Sequence, residues 1–153
     1  MTVDHALICN LLAEYGALLD AAEYDKWLGL FAAACRYVIM PRENHDRGLS
    51  AGLIYCDNRA MLEDRIMALR EANKYNIHTD RHLIGLPRLV NADGPLIEAP
   101  FVVYQTDQEG ATQLFATGLY RDRLELVGHD LKIQDKLVLL DTFAVPTLLA
   151  TPL

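Results

Sequence analysis

Apolar residues at three- and four-residue steps open the chain. Leu7/Ile8, Leu11/Leu12, Tyr15, Leu18/Leu19 and Ala22 fall on one face of a helix, with Asp4, Glu14 and Asp20 on the other. That face must pack on something. A shorter pattern of the same period, Trp27, Leu28, Leu30, Phe31 and Ala34, follows Tyr24 and Asp25 and predicts a second helix beyond a tight turn. Residues 36–40 (Arg-Tyr-Val-Ile-Met) read as a strand that Pro41 ends. Residues 42–57 form a polar loop, Arg42 to Arg47 followed by small residues up to Tyr55. A connection of that length in a compact domain usually has a task. Asp57 or Asn58 is placed to cap a third helix, whose stripe is Leu62, Ile66 and Leu69 and which ends near Asn73.

The period then changes to two. Leu83 to Val90, Leu96 to Thr106, Thr112 to Leu126 and Leu131 to Val145 are strand-like runs separated by Asp93-Gly94, Glu109-Gly110 and Gly128-His129-Asp130. Short turns between them predict an antiparallel meander. In the last run Lys132, Gln134 and Lys136 alternate with Ile133 and Leu137, which predicts one wet and one dry face. The order predicts an α+β fold: three N-terminal helices packed on a curved, mainly antiparallel sheet, a cone with a pocket at its open end.

Composition narrows the possibilities. At 153 residues the chain fits one domain, 1–153, able to bury roughly 68–70% of its unfolded surface without a metal or disulfide. Fourteen Lys plus Arg against 21 Asp plus Glu give a net charge of −7 and no basic block, so nucleic acid and anionic membrane are not expected as partners. Thr142 to Leu153, the longest charge-free stretch, falls short of the ~18 residues of a spanning helix. The opening Met-Thr-Val-Asp-His lacks the basic start of an export signal, so a cytoplasmic location is expected. Cys9, Cys35 and Cys56, an odd number without C-x-x-C, fit reduced, mostly buried thiols.

Three constellations offer chemistry. Gly48-Leu-Ser-Ala-Gly52 matches the G-x-S-x-G nucleophile string, but no buried strand precedes it, so it reads as a loop. His78, Asp80 and His82 alternate, and two imidazoles with a carboxylate on one strand face are a donor set for iron(II) or zinc. Their place at a predicted loop-to-strand junction favours a structural role. Paired Cys and His motifs for a Rieske cluster are absent. Finally, Tyr15 with Glu98, Tyr104 or Asp141 would suit proton transfer in the mouth of the cone, as in a free-standing small-molecule dehydratase or isomerase.

The last third carries a recognisable pattern: Gly118-Leu-Tyr-Arg-Asp122, Lys132-Ile133, Lys136-Leu-Val-Leu-Leu-Asp141 and Thr147-Leu-Leu-Ala-Thr-Pro-Leu153. Upstream, Tyr24-Asp-Lys-Trp-Leu28 and the set Tyr55, Asp57, Leu62, Arg65 and Ile66 continue it. Together they resemble the small (β) subunits of aromatic-ring-hydroxylating dioxygenases, over most of the chain. The resemblance implies a nuclear-transport-factor-2-like (NTF2-like) cone and a non-catalytic, structural role, with no catalytic, cofactor or metal residues in this chain. It also implies a large (α) subunit as partner, holding the Rieske [2Fe-2S] cluster and mononuclear iron, and other copies of this chain, as a trimer within α3β3. The short form looks closest to the branch acting on aromatic acids. The cone alone does not decide activity, because it also hosts dehydratases, isomerases and cyclases. For docking, the 42–57 loop offers Arg42, His45, Arg47 and Tyr55, residue types that interfaces favour. A solvent-facing loop, with docking through the outer sheet or Thr147 to Leu153, is the alternative.

Overall fold

A computed structural model describes residues 3–72, 77–142, 145–146 and 149–153. The first helix, α1 (His5–Asp20), starts at Asp4, whose carboxylate accepts the N–H of Ala6 at 3.0 Å. It buries Ile8, Leu11, Leu12, Tyr15, Gly16 and Leu19, most of the expected face, whereas Leu7 and Ala22 at its edges are exposed. Ala22 closes it in the left-handed region, φ 57°, while the N–H of Glu23 bonds back to the carbonyl of Leu18.

The second helix is shorter than its pattern suggests. α2 (Tyr24–Leu28) stops where Gly29 caps it, and β1 (Phe31–Pro41) already begins at Phe31. Phe31 and Ala34 are therefore strand residues, and Pro41 is the last residue of a strand of 11 rather than the stop after five. The 42–57 stretch is also more ordered than a loop. It holds a helical turn, α3 (Arg42–Asp46), and a short strand, β2 (Ile54–Cys56), which pairs antiparallel with β1. Asn58 caps α4 (Arg59–Ala72) by accepting the N–H of Met61 at 2.9 Å, and Leu62, Ile66 and Leu69 are its buried stripe. The expected end of this helix at Asn73 lies outside the described residues.

The run expected from Leu83 to Val90 divides in two, because Gly85 and Pro87 interrupt it: β3 (His78–Ile84) and β4 (Arg88–Asn91). Then follow β5 (Leu96–Asp107), β6 (Thr112–Val127) and β7 (Asp130–Leu140). Part of the expected extension of β7 to Val145, residues 143–144, lies outside the described residues. The sheet order is β2-β1-β7-β6-β5-β3, with β4 also on β5. All pairings are antiparallel except β1 with β7.

Bulges bend this sheet into a cone around the helices. One doubles Phe115 and Ala116 opposite β5, so both are buried. Another inserts Gln134 into β7: Leu124 faces Ile133, but Arg123 faces Asp135 and Asp122 faces Lys136. Side-chain parity flips there. Lys132 and Gln134 do point outward, but Lys136 turns into the core and is fully buried, which corrects the expected wet face.

Candidate functional site

The inside of the cone is an aromatic chamber. Tyr15 from α1 lies 5.7 Å from Trp27 of α2, 6.5 Å from Phe31 of β1 and 5.6 Å from Tyr120 of β6, centroid to centroid. Tyr120 stacks on Phe101 at 4.2 Å with rings nearly parallel, and Tyr37 of β1 meets Trp27 edge-on. Burial pushes the phenols of Tyr15, Tyr37 and Tyr120 up, well beyond the ordinary tyrosine value.

An ion pair sits among these rings. Lys136 Nζ donates to Asp122 Oδ2 at 2.8 Å, and neither side chain has any exposed surface. The ammonium lies 3.6 Å from the centroid of Tyr120 and 4.1 Å from that of Tyr15, so the two π faces and the carboxylate share it. Burial drives the Asp122 carboxyl up and the Lys136 ammonium down, and each partner's charge works against that shift. Asp122 Oδ1 and the Tyr120 hydroxyl are buried without a hydrogen-bond partner. One signal for Asp122 was present in the sequence: it alternates in phase with Tyr120 and Leu124, two dry-face residues. Lys136 had none, because the Gln134 bulge breaks its phase.

The chamber is closed by Leu153. Its main-chain oxygen accepts from the hydroxyls of Tyr15, at 2.6 Å, and Tyr37, at 2.9 Å. Its N–H donates to the Tyr37 hydroxyl at 3.0 Å. Thr151, Pro152 and Leu153 are all buried.

The four residues suggested for proton transfer do not converge. Tyr15 is inside, with its hydroxyl engaged as above. Glu98 and Tyr104 are on the outer face of β5, six residues or about 20 Å apart along the strand. Glu98 pairs with Arg88 and lies 3.9 Å from Arg121. Asp141, just past β7, accepts Arg42 Nη2 at 2.8 Å and the Thr117 hydroxyl at 2.9 Å.

His78, Asp80 and His82 lie within β3 itself, on one side of it, rather than at a loop junction. Each imidazole has its own carboxylate. His78 Nε2 is 3.3 Å from Asp80 Oδ2, whereas His82 Nδ1 is 2.7 Å from Asp20 Oδ1 of α1, which also receives the N–H of His82 at 3.1 Å. The second contact ties helix to strand. Among the described residues no group of three His, Cys, Asp or Glu is placed to hold a metal. The cysteines stand on α1, β1 and β2, so the residues described here do not fit an iron–sulfur cluster. Ser50 is exposed in the irregular stretch before β2.

In the 42–57 segment the arginines are engaged within the chain. Arg42 holds Asp141, and Arg47 pairs with Glu43 at 2.7 Å. The Tyr55 hydroxyl accepts Arg36 Nη2 at 3.0 Å, and that guanidinium lies 5.1 Å from the Tyr55 ring centroid. Leu49, Leu53 and Tyr55 are exposed beside them. None of the described helices is long and apolar enough to cross a membrane.

A family model described as the ring hydroxylating beta subunit matches residues 16–147. The beta 2 subunit of the terminal oxygenase component of terephthalate 1,2-dioxygenase from Comamonas sp. is 37% identical over 153 residues, 99% of each chain. The small subunit of anthranilate 1,2-dioxygenase from Burkholderia cepacia is 39% identical over 148 residues, 95% of this chain and 92% of that one. A crystallographic beta subunit assigned to an aromatic-ring-hydroxylating dioxygenase of Novosphingobium aromaticivorans superposes with a TM-score of 0.89. It is 39% identical and covers 97% of this chain and 96% of its own.

Proposed function

The chain belongs to the ring hydroxylating beta subunit family, and on that premise we propose that it is the non-catalytic, structural small subunit of a Rieske-type dioxygenase that dihydroxylates an aromatic acid. The observation that carries the reading is the end-to-end match, at 37–39% identity, to small subunits of terephthalate and anthranilate dioxygenases. The interior supports it. The Tyr15 hydroxyl and the Asp141 carboxylate, which a dehydratase would need free, are engaged within the chain, and the four proton-transfer candidates lie apart on α1, the outer face of β5 and the end of β7. This chain supplies no catalytic, cofactor or metal residue. The large subunit supplies the Rieske [2Fe-2S] cluster and the mononuclear iron, where electrons from NADH and O2 place two hydroxyls on the arene. Residues 1–153 act as one domain, three copies join three large subunits as α3β3, and the assembly works in the cytoplasm.

Co-expression with the large subunit encoded beside it tests this. Native mass spectrometry is expected to give α3β3, with iron and dihydroxylation of an aromatic acid present in the complex and absent from this chain alone. Turnover by the chain alone, lost in Tyr15→Phe or Asp141→Asn variants that remain folded, would refute the reading.

A further inference from the structure

Leu153 is held the way a protein holds a ligand. Two hydroxyls from separate elements, Tyr15 on α1 and Tyr37 on β1, converge on the same main-chain oxygen of Leu153 at 2.6 and 2.9 Å. The Tyr37 hydroxyl also accepts its N–H at 3.0 Å, and Leu153, 2% exposed, is part of the same hydrophobic core as the aromatic residues. Both phenols are themselves fully buried. Two buried donors aimed at one oxygen are the arrangement by which proteins grip a carbonyl or carboxylate.

The seat and its occupant are built differently. Tyr15, Trp27, Phe31, Tyr37 and Tyr120 stack on one another and stand on α1, α2 and ladder-paired strands. Residues 149–153 carry no helix or strand. If they left, the chamber walls would stay, and the two hydroxyls would lose their shared acceptor. That loss favours any filler presenting the same groups.

We propose that the Tyr15–Tyr37 hydroxyl pair is a binding site for a compact, branched apolar carboxylic acid or ketone, and that residues 149–153 occupy it in cis and withdraw to admit that ligand. The proposal does not rest on the dioxygenase reading, because the seat is internal to this chain.

Hydrogen exchange on the full chain tests the withdrawal. Residues 149–153 are expected to exchange at least tenfold faster than the cores of β6 and β7, and N-acetyl-L-leucine, which carries both the N–H and the acceptor oxygen, should speed them further and saturably. Protection equal to that of β6 and β7, or exchange unmoved by millimolar N-acetyl-L-leucine, overturns it. Trp27, the only tryptophan, lies 5.7 Å from the Tyr15 ring and 5.8 Å from the Tyr37 ring and so reports on the seat. In a chain ending at Leu148, the peptide Leu-Ala-Thr-Pro-Leu should restore Trp27 emission saturably, and Tyr15→Phe with Tyr37→Phe should weaken that binding at least tenfold. A folded shortened chain that ignores the peptide, or binds it equally well without the hydroxyls, also overturns the proposal. Should the shortened chain fail to fold, the exchange measurement on the full chain decides.

Discussion

Replacing Lys136 with Met removes one charge of a pair that has no solvent at all. Asp122 then stays in the core with both carboxylate oxygens unpaired, because Oδ1 already lacks a partner and Oδ2 loses the ammonium. Breaking a buried pair in this way costs about 3–5 kcal/mol. For a chain of this size that lowers the thermal midpoint by roughly 6–20 °C. The loss should depend on pH, with a definite sign. Burial already holds the Asp122 carboxyl above its unfolded value of 3.8, and removing Lys136 takes away the charge that opposes the shift. A raised carboxyl favours the fold while protonated, so the deficit of the variant is smallest near pH 4, grows as pH rises through the folded pKa, and then levels off. Adding Asp122→Val should return stability at least to that of the parent, since a well-packed apolar pair often equals or exceeds a buried ion pair, and here one oxygen is orphaned. Urea unfolding at pH 4, 6 and 8, followed by Trp27 emission, gives all three numbers. A single variant costing under about 1 kcal/mol, or a double variant as unstable as the single, would refute the reasoning.

Gly118→Ala places a Cβ 1.9 Å from the Leu139 carbonyl oxygen across the β6–β7 ladder and should cost about 3 kcal/mol or more, measured by denaturant unfolding. Ala22→Gly relieves the left-handed φ of 57° at an exposed position and should stabilise by roughly 1 kcal/mol in the same assay. Burial pushes the thiols of Cys35 and Cys56 up, so a thiol reagent at pH 8 should label partly buried Cys9 first and reach the other two only on unfolding. Deleting Gln134 leaves Lys136 opposite Asp122 in a ladder without its bulge and should stabilise by roughly 0.5–1.5 kcal/mol in denaturant unfolding; a destabilised variant would show that the bend itself is indispensable.

Chain patterning made the helices and the meander legible where one element buries one face with one period. α1 and α4 obey that condition: Ile8, Leu11, Leu12, Tyr15 and Leu19 of the first stripe and Leu62, Ile66 and Leu69 of the second are buried, with Leu7 and Ala22 at the edges of the first exposed. The reading failed where a single residue changes the local geometry. Gly29 ends α2 before its apolar pattern ends, and Leu30 and Phe31 are equally apolar as helix or strand, so periodicity alone did not separate the two. The candidate site was less legible still. Glu98 and Tyr104 have even parity on β5 while the buried residues there have odd parity, which places both outside. Apart from Trp27 of α2, the partners of Tyr15 come from β1, β6, β7 and the 149–153 segment, all distant in sequence.

The Gln134 bulge shows why alternation misled and what set the true register. From the turn at Gly128, Val127 pairs with Asp130 and Leu124 with Ile133. Continued without interruption, that register would set Asp122 opposite Asp135, two carboxylates facing each other inside the cone. The extra residue moves the pairing on by one, so that Asp122 meets Lys136 and Asp135 turns outward to within 4.0 Å of Arg36. The apolar content barely decides between the two, since the shift exchanges Leu137 and Leu139 for Val138 and Leu140 on the inner face. Charge does decide. A bulge gives up about one ladder hydrogen bond, roughly 0.5–1.5 kcal/mol. A desolvated pair of like charges would cost several kcal/mol, or force a proton onto one carboxylate. The buried ion pair therefore contributes less to net stability than to the choice of register, and the same bulge that admits it also helps bend β7 around the chamber.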